Sequence, residues 1–465
     1  MSFLIQIPLT YHAERCYILS VLLGDFLGVD FKIKAENRQG TQITAADGRE
    51  LVITDGLFAL PEEQWLTKQS LPRQPLKIWK IPTILDAKIV RPTIPVIYGR
   101  EPECAGFFTL SEKRVEIGLD IFGSSFFMLT RYEEMVNLER DYHNRFPSSA
   151  SLALQGDFLK RPIVNEYLEI FWACLKWLWP GVKRRNREYR ILPSHDVDEP
   201  FRYAFRNLKG IIRIMGGDVL KRRDPMGVLK TLQGWLRVKR EGPLVDSFNT
   251  FDRIMDLDEN FGLNSTFYFM TDHTNQHLDS VYDIDNSLIR SLLRNIHHRG
   301  HEIGLHPSYH TYRSPSQTKK ELDILKNVCA EERIKQQIWG GRQHFLRWET
   351  PITFQNLEDA GLSYDSTLCY ADHIGFRCGI CYDFTVFNLK SRQTLRLQER
   401  PLIVMDRTLL ADFYMDLTHE QAWHEISQLK ERCKMFDGNF TILWHNDNFI
   451  KKDDVELYKS IVKNS

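Results

Sequence analysis

From about residue 188 onward, short apolar runs alternate with helical segments whose ends are written into the sequence. Leu288, Ile289, Leu292, Leu293 and Ile296 recur at helical spacing on one face, and Gly300 is placed to close that helix. Ser314-Pro315 and Thr350-Pro351 each set a capping residue before a proline suited to the first helical position. Thr418 with Gln421 has the spacing of a capping box. Between these helices lie strand-like runs at 265–270, 302–305, 402–405 and 440–444. Strands alternating with helices predict a parallel sheet, open or closed into a barrel. In such sheets chemistry gathers at the carboxyl ends of the strands.

The chain has 465 residues, too many for one ordinary core. Residues 1–187 read as a separate mixed α/β domain of no assigned chemical role. It has strands near 51–54 and 94–98 and helices over 122–138 and 164–178, the second apolar nearly all round. The basic, turn-like run 180–187 is the expected boundary. With 43% hydrophobic and 26% charged residues the composition is globular, and a formal net charge of zero gives no sign of nucleic acid. The first residues read as a strand and then a helix, not a signal peptide, and no apolar run is long enough to span a bilayer. Eight scattered cysteines fit reduced thiols in a cytoplasm, and Cys378-Gly-Ile-Cys381 stands alone without a second pair.

Candidate chemistry starts at Ser194-His195-Asp196-Val197-Asp198, which follows a strand-like run. Side chains two apart on a strand point the same way, so Asp196 and Asp198 would face one pocket. Two carboxylates that close call for a proton, a cation or both. His306-Pro-Ser-Tyr-His310 offers two imidazoles four residues apart, one helical face if Pro307 opens a helix. Two histidines and one aspartate can hold a divalent cation with open positions, and the other aspartate is then free to act as general base. His445, after the 440–444 run, is placed to protonate a leaving group. Either Arg342 or Arg347 could keep the base ionised.

In order and spacing these motifs resemble the polysaccharide deacetylases, the NodB-homology group of carbohydrate esterase family 4. The resemblance spans roughly 188–450 and implies a distorted, incomplete (β/α) barrel. It also implies roles: Asp196 the base, Asp198, His306 and His310 the metal ligands, Arg342 the arginine that steadies the base, and His445 the acid. Asp372 falls where a fourth motif would lie. The implied cofactor is one divalent metal ion, zinc by default, with cobalt, nickel or iron also suited to the ligand set. The chain departs from the usual pattern at His195, which precedes the aspartate, and at Gln343-His344, which follow Arg342. Arg347 therefore stays a rival for Arg342, and His195 either packs or tunes the base.

The resemblance implies a carbon–nitrogen hydrolase that deacetylates an N-acetylated sugar in a polysaccharide or lipid-linked glycan precursor. The alternatives are a hydrolase of another bond, O-acetyl ester or phosphoester, and an inactive glycan-binding module. A basic helical insert at about 201–245 sets this chain apart. Residues 201–240 hold eleven Lys or Arg against two Asp, interleaved with Leu208, Ile212, Leu229, Trp235 and Leu236. That pattern suits contact with anionic membrane or a lipid-linked sugar at the inner face of the membrane, or else a helical lid with a solvated basic face.

Overall fold

The computed structural model describes residues 2–220 and 225–463, apart from the side chains of Asp218 and Leu220. Lys221, Arg222 and Arg223 of the basic insert lie outside the described residues. The first of two main sheets comes from the N-terminal part, with strands Ser2–Ile7, Asp30–Ala35, Thr41–Thr44, Glu50–Ile53, Phe108–Leu110 and Arg114–Ile117. In Ser2–Ile7 every second residue is buried, so Phe3, Ile5 and Ile7 enter the core. Helix Ile163–Leu178, apolar nearly all round in sequence, is buried along almost its whole length. The helix expected over 122–138 is two helices, Ile121–Leu129 and Tyr132–Val136. They part at Arg131, whose φ of 53° no helix accommodates.

The second sheet has nine strands. Their spatial order is Phe384–Asn388, Gln393–Glu399, Tyr364–Asp365, Gly340–Gly341, Glu302–Leu305, Thr266–Phe269, Arg190–Val197, Asn439–Leu443 and Val404–Met405. All neighbours pair in parallel except the first two, which are antiparallel. The expected alternation of strands and helices is therefore present, with helices such as Ser287–His298 and Pro315–Glu331 between the strands. Gly340 admits the Tyr364 ring against its backbone, since a Cβ there would lie 2.0 Å from that ring. Ser314 caps its helix as expected, and Thr418 with Gln421 forms the capping box. Thr350 does not cap; its helix begins at Ile352 without a side-chain cap.

Among the described residues no ladder joins the two outer strands, so the sheet is open and no barrel closes. One edge is the two-residue strand Val404–Met405 and the other is the antiparallel strand Phe384–Asn388, which leaves no parallel partner to complete a ring. The two main sheets lie on either side of residues 180–187, yet their buried apolar side chains form one continuous cluster. Tyr17 donates its hydroxyl to the Thr385 carbonyl at 2.8 Å and packs on the Phe387 ring. Glu134 takes two hydrogen bonds from the Arg377 guanidinium, at 2.9 and 2.6 Å, and one from Arg131 at 2.8 Å, all of them buried.

Candidate metal centre and catalytic cleft

The carboxyl ends of the parallel strands converge on one cleft. Asp196 lies near the end of Arg190–Val197, with Asp198 just beyond. His306 follows Glu302–Leu305, Arg342 follows Gly340–Gly341, Asp406 follows Val404–Met405, and His445 comes two residues after Asn439–Leu443. A cavity of about 580 Å³ is lined by Asp196, Asp198, His306, His344 and His445. His143 and Arg145 from the N-terminal part and Arg206 and Arg213 from the insert also line it.

Asp198, His306 and His344 form a group able to hold a metal ion, with one ligand atom from each lying within 4.8 Å of the others. His306 Nδ1–H donates to the Arg342 carbonyl at 2.6 Å, and His344 Nδ1–H donates to Asp279 Oδ1 at 3.0 Å. Each imidazole is thereby fixed in the tautomer that leaves an Nε2 lone pair for a cation. Those Nε2 atoms lie 3.2 Å (His306) and 3.6 Å (His344) from Asp198 Oδ1. Asp198 Oδ1 and His306 Nε2 are both buried with no hydrogen-bond partner. Buried polar atoms without partners that face one point suit a cation, so the residues fit a metal. Burial works against charge on Asp198, but the facing imidazoles of His306, His344 and His445 hold its carboxyl well below the usual range. Burial likewise works against a charged His306, and the Asp196 and Asp198 carboxylates outweigh it and raise its pKa. The point between them draws positive charge.

His310, the third ligand implied by the resemblance, is not in this group. Residues 306–310 form no helix, so the two histidines share no face. His310 is exposed, and its Nε2 lies 3.5 Å from the Asn275 amide nitrogen. His344 takes that place because Phe345 and Leu346 adopt φ of 60° and 54°, a left-handed turn that bulky residues rarely make. The turn folds His344 back over His306, with ring centroids 5.0 Å apart.

Arg342 is the arginine that meets Asp196. It is wholly buried and donates to Asp196 Oδ1 at 3.0 Å, to Ser194 Oγ at 2.8 Å and to Ser366. Arg347 sits elsewhere, with its guanidinium 3.8 Å from the Tyr309 ring centroid and a hydrogen bond to the His143 carbonyl. His195 is buried on the far side of its strand from Asp196, as strand alternation requires. It donates to the Trp444 carbonyl at 2.6 Å and faces Asp258 at 3.4 Å, so it packs in the core rather than touching Asp196.

Asp372 also lies away from the cluster, bonded to the Ser148 hydroxyl at 2.8 Å. The carboxylate that meets His445 is Asp406. His445 Nδ1–H donates to Asp406 Oδ1 at 2.7 Å, which turns Nε2 toward Asp198 Oδ2, 3.5 Å away. Burial would lower the His445 pKa, but Asp406 outweighs it and the imidazole is raised above its ordinary value. The sequence carried a signal for Asp406: it directly follows the expected strand 402–405. It carried none for Asp279, which lies in a loop.

Fold and site together define a mixed α/β protein with an Asp-His-His group at the strand ends, its two histidines buried and its aspartate half-buried. Comparison with known proteins adds little beyond this. The sequence profile of a family of unknown function, DUF7033, matches residues 3–180. No curated protein matches the chain. Among solved structures, the chain is similar to a candidate polysaccharide deacetylase from Mycobacterium smegmatis. That match has a TM-score of 0.38 and 16% identity, over 60% of this chain and 84% of the other. It is also similar to the Puue allantoinase, with a TM-score of 0.37 and 12% identity over 68% and 90%. Among the described residues no helix is long and apolar enough to cross a membrane.

Proposed function

We propose that the protein is a metal-dependent hydrolase that removes the acetyl group from an N-acetylated sugar of a glycan. The observation that carries this reading is the pair of orphaned atoms, Asp198 Oδ1 and His306 Nε2, beside an aspartate and a histidine each braced by a buried partner. Asp198, His306 and His344 would hold the cation, which when bound polarises the acetyl carbonyl and makes water a nucleophile near neutral pH. Asp196 accepts the proton of the attacking water. Arg342 keeps that carboxylate in place through Oδ1, which leaves Oδ2 for the proton. Water oxygen bonds to the carbonyl carbon, the carbon–nitrogen bond breaks, and His445 gives its Nε2 proton to the departing amine. Acetate and a free amino sugar leave. Asp406 orients His445 through Nδ1–H, and its charge favours the imidazolium, whose second proton sits on Nε2 in the cleft.

The test is acetate release from a panel of N-acetylated and O-acetylated glycans by metal-reconstituted protein, with phosphate release measured in parallel. N-linked acetate should appear and should fall about 10²-fold or more in Asp196→Asn. Phosphate without acetate, or release unchanged in Asp196→Asn, would sink the reading.

A further inference from the structure

Helices Leu208–Leu220 and Pro225–Glu241 pack against each other beside the cleft, and each has an apolar face to spare. Their inner faces are already satisfied: Tyr203, Ile211 and Val238 form a small buried cluster with Trp235 packed against it. On the outside, Leu208, Ile212 and Val219 recur at helical spacing on the first helix, and Met226, Leu229 and Leu236 on the second. Each of the six has more than half its surface exposed. Scattered single apolar residues need no explanation, but two aligned stripes on adjoining helices do.

Charge decides what covers them. The second helix carries Lys230, Arg237, Lys239 and Arg240 against Glu241 alone, which pairs with Arg237 and Arg240. The first carries Lys209 and Arg213 against Asp218. A second copy of the chain seated here would bring like charges together in a two-fold contact. An anionic surface would not, and basic residues beside an apolar stripe are the pattern of a helix lying in a lipid interface. The hairpin is also continuous with the cleft, since Arg206 and Arg213 line the cavity that holds Asp198 and His306.

We propose that the helices Leu208–Leu220 and Pro225–Glu241 together seat the protein on an anionic lipid bilayer, so that the cleft opens onto glycan still attached to that membrane. The docking half stands on the exposed stripes and their charge. Only the glycan half rests on the hydrolase reading.

The test is sedimentation of the full-length protein with vesicles of phosphatidylglycerol and phosphatidylcholine, at low and high salt. Binding should be strong on the mixed vesicles at low salt and weak at high salt or on phosphatidylcholine alone. Ile212→Ser/Leu229→Ser/Leu236→Ser should weaken it about tenfold or more with the thermal melt unchanged, because only exposed apolar area is removed. Lys230→Glu/Lys239→Glu should remove most of the salt-sensitive part. Absence of binding to the mixed vesicles at low salt would overturn the proposal. So would serine and glutamate variants that bind like the parent, or a dimer in solution that the serine variant dissociates. Asp196→Asn should still sediment. Vesicle binding without activity on any glycan would leave the docking standing and remove the hydrolase reading.

Discussion

One Asp406 carboxylate grips His445 twice, accepting the imidazole Nδ1–H through Oδ1 at 2.7 Å and the backbone N–H through Oδ2 at 2.7 Å. Ring and main chain are locked by the same group, and Nε2 has one direction to point. An amide at position 406 removes the negative charge that keeps the imidazole protonated, so Nε2 has a less acidic, neutral ring behind it. Asp406→Asn should therefore lower kcat by about 10²- to 10⁴-fold with little change in KM, the range a positioned general acid contributes. Asp372→Asn, away from the cleft, should stay within about twofold of the parent. Steady-state kinetics on the best glycan of the panel checks both.

Metal content separates the two candidate third ligands. His344→Ala and Asp198→Ala should lose the ion, whereas His310→Ala should keep it at full stoichiometry, because His310 lies outside the cluster. Asp279→Asn should weaken affinity by about 10- to 100-fold through the loosened His344 ring. Elemental analysis after dialysis against a graded chelator reads all four.

Arg342 and Asp196 are both almost wholly buried, so either one alone is an unpaired charge in the interior. Arg342→Met should cost ~3–5 kcal/mol of stability, the range for breaking a buried pair from one side. Urea unfolding gives the number. A loss below about 1 kcal/mol would mean that water reaches Asp196 and replaces the guanidinium.

Asp365 and Glu399 are two buried carboxyls on neighbouring strands, and Asp365 Oδ2 and Glu399 Oε2 have no partner. Burial pushes Asp365 up to about 7, and burial with the Asp365 charge raises Glu399 well above its ordinary value. The folded state thus binds protons more tightly than the unfolded chain. That stability is complete at acid pH and is lost as pH rises through about 7. The melting temperature should fall from about pH 4, where the unfolded carboxyl titrates, to about pH 7, and less steeply in Glu399→Gln. A melting temperature that rises over this interval would contradict the shared proton.

His143 and Arg145 bring the N-terminal part into the cleft. The Arg145 guanidinium binds the Phe345 carbonyl at 3.1 Å and the Tyr414 hydroxyl at 3.0 Å, so it braces the turn that carries His344. Arg145→Ala should loosen that turn and weaken metal affinity by about tenfold, the scale of a lost supporting hydrogen bond. Chelator competition checks it.

Much of this site was written locally. Strand alternation put Asp196 and Asp198 on one face and His195 on the other, and the rule that chemistry lies at strand ends reached His306 and His445, while Arg342 followed from motif resemblance with Arg347 as its rival. The same rule reaches Asp406, the residue directly after the expected strand 402–405. His310 shows the opposite case. Its four-residue spacing from His306 holds only on a helix, and that segment is none.

The sequence by itself determined the alternation of strands and helices, the parallel sheet and the aspartates at the carboxyl end of one strand, because each follows from periods of two or 3.6 residues and from caps a few residues long. Tertiary structure alone decided that His344 and not His310 faces Asp198, that Arg342 and not Arg347 meets Asp196, and that the sheet stays open. Those outcomes depend on left-handed turns at Phe345 and Leu346, on aromatic rings that claim Arg347, and on which strands find a neighbour. Such contacts join residues far apart in sequence, and no local pattern records them.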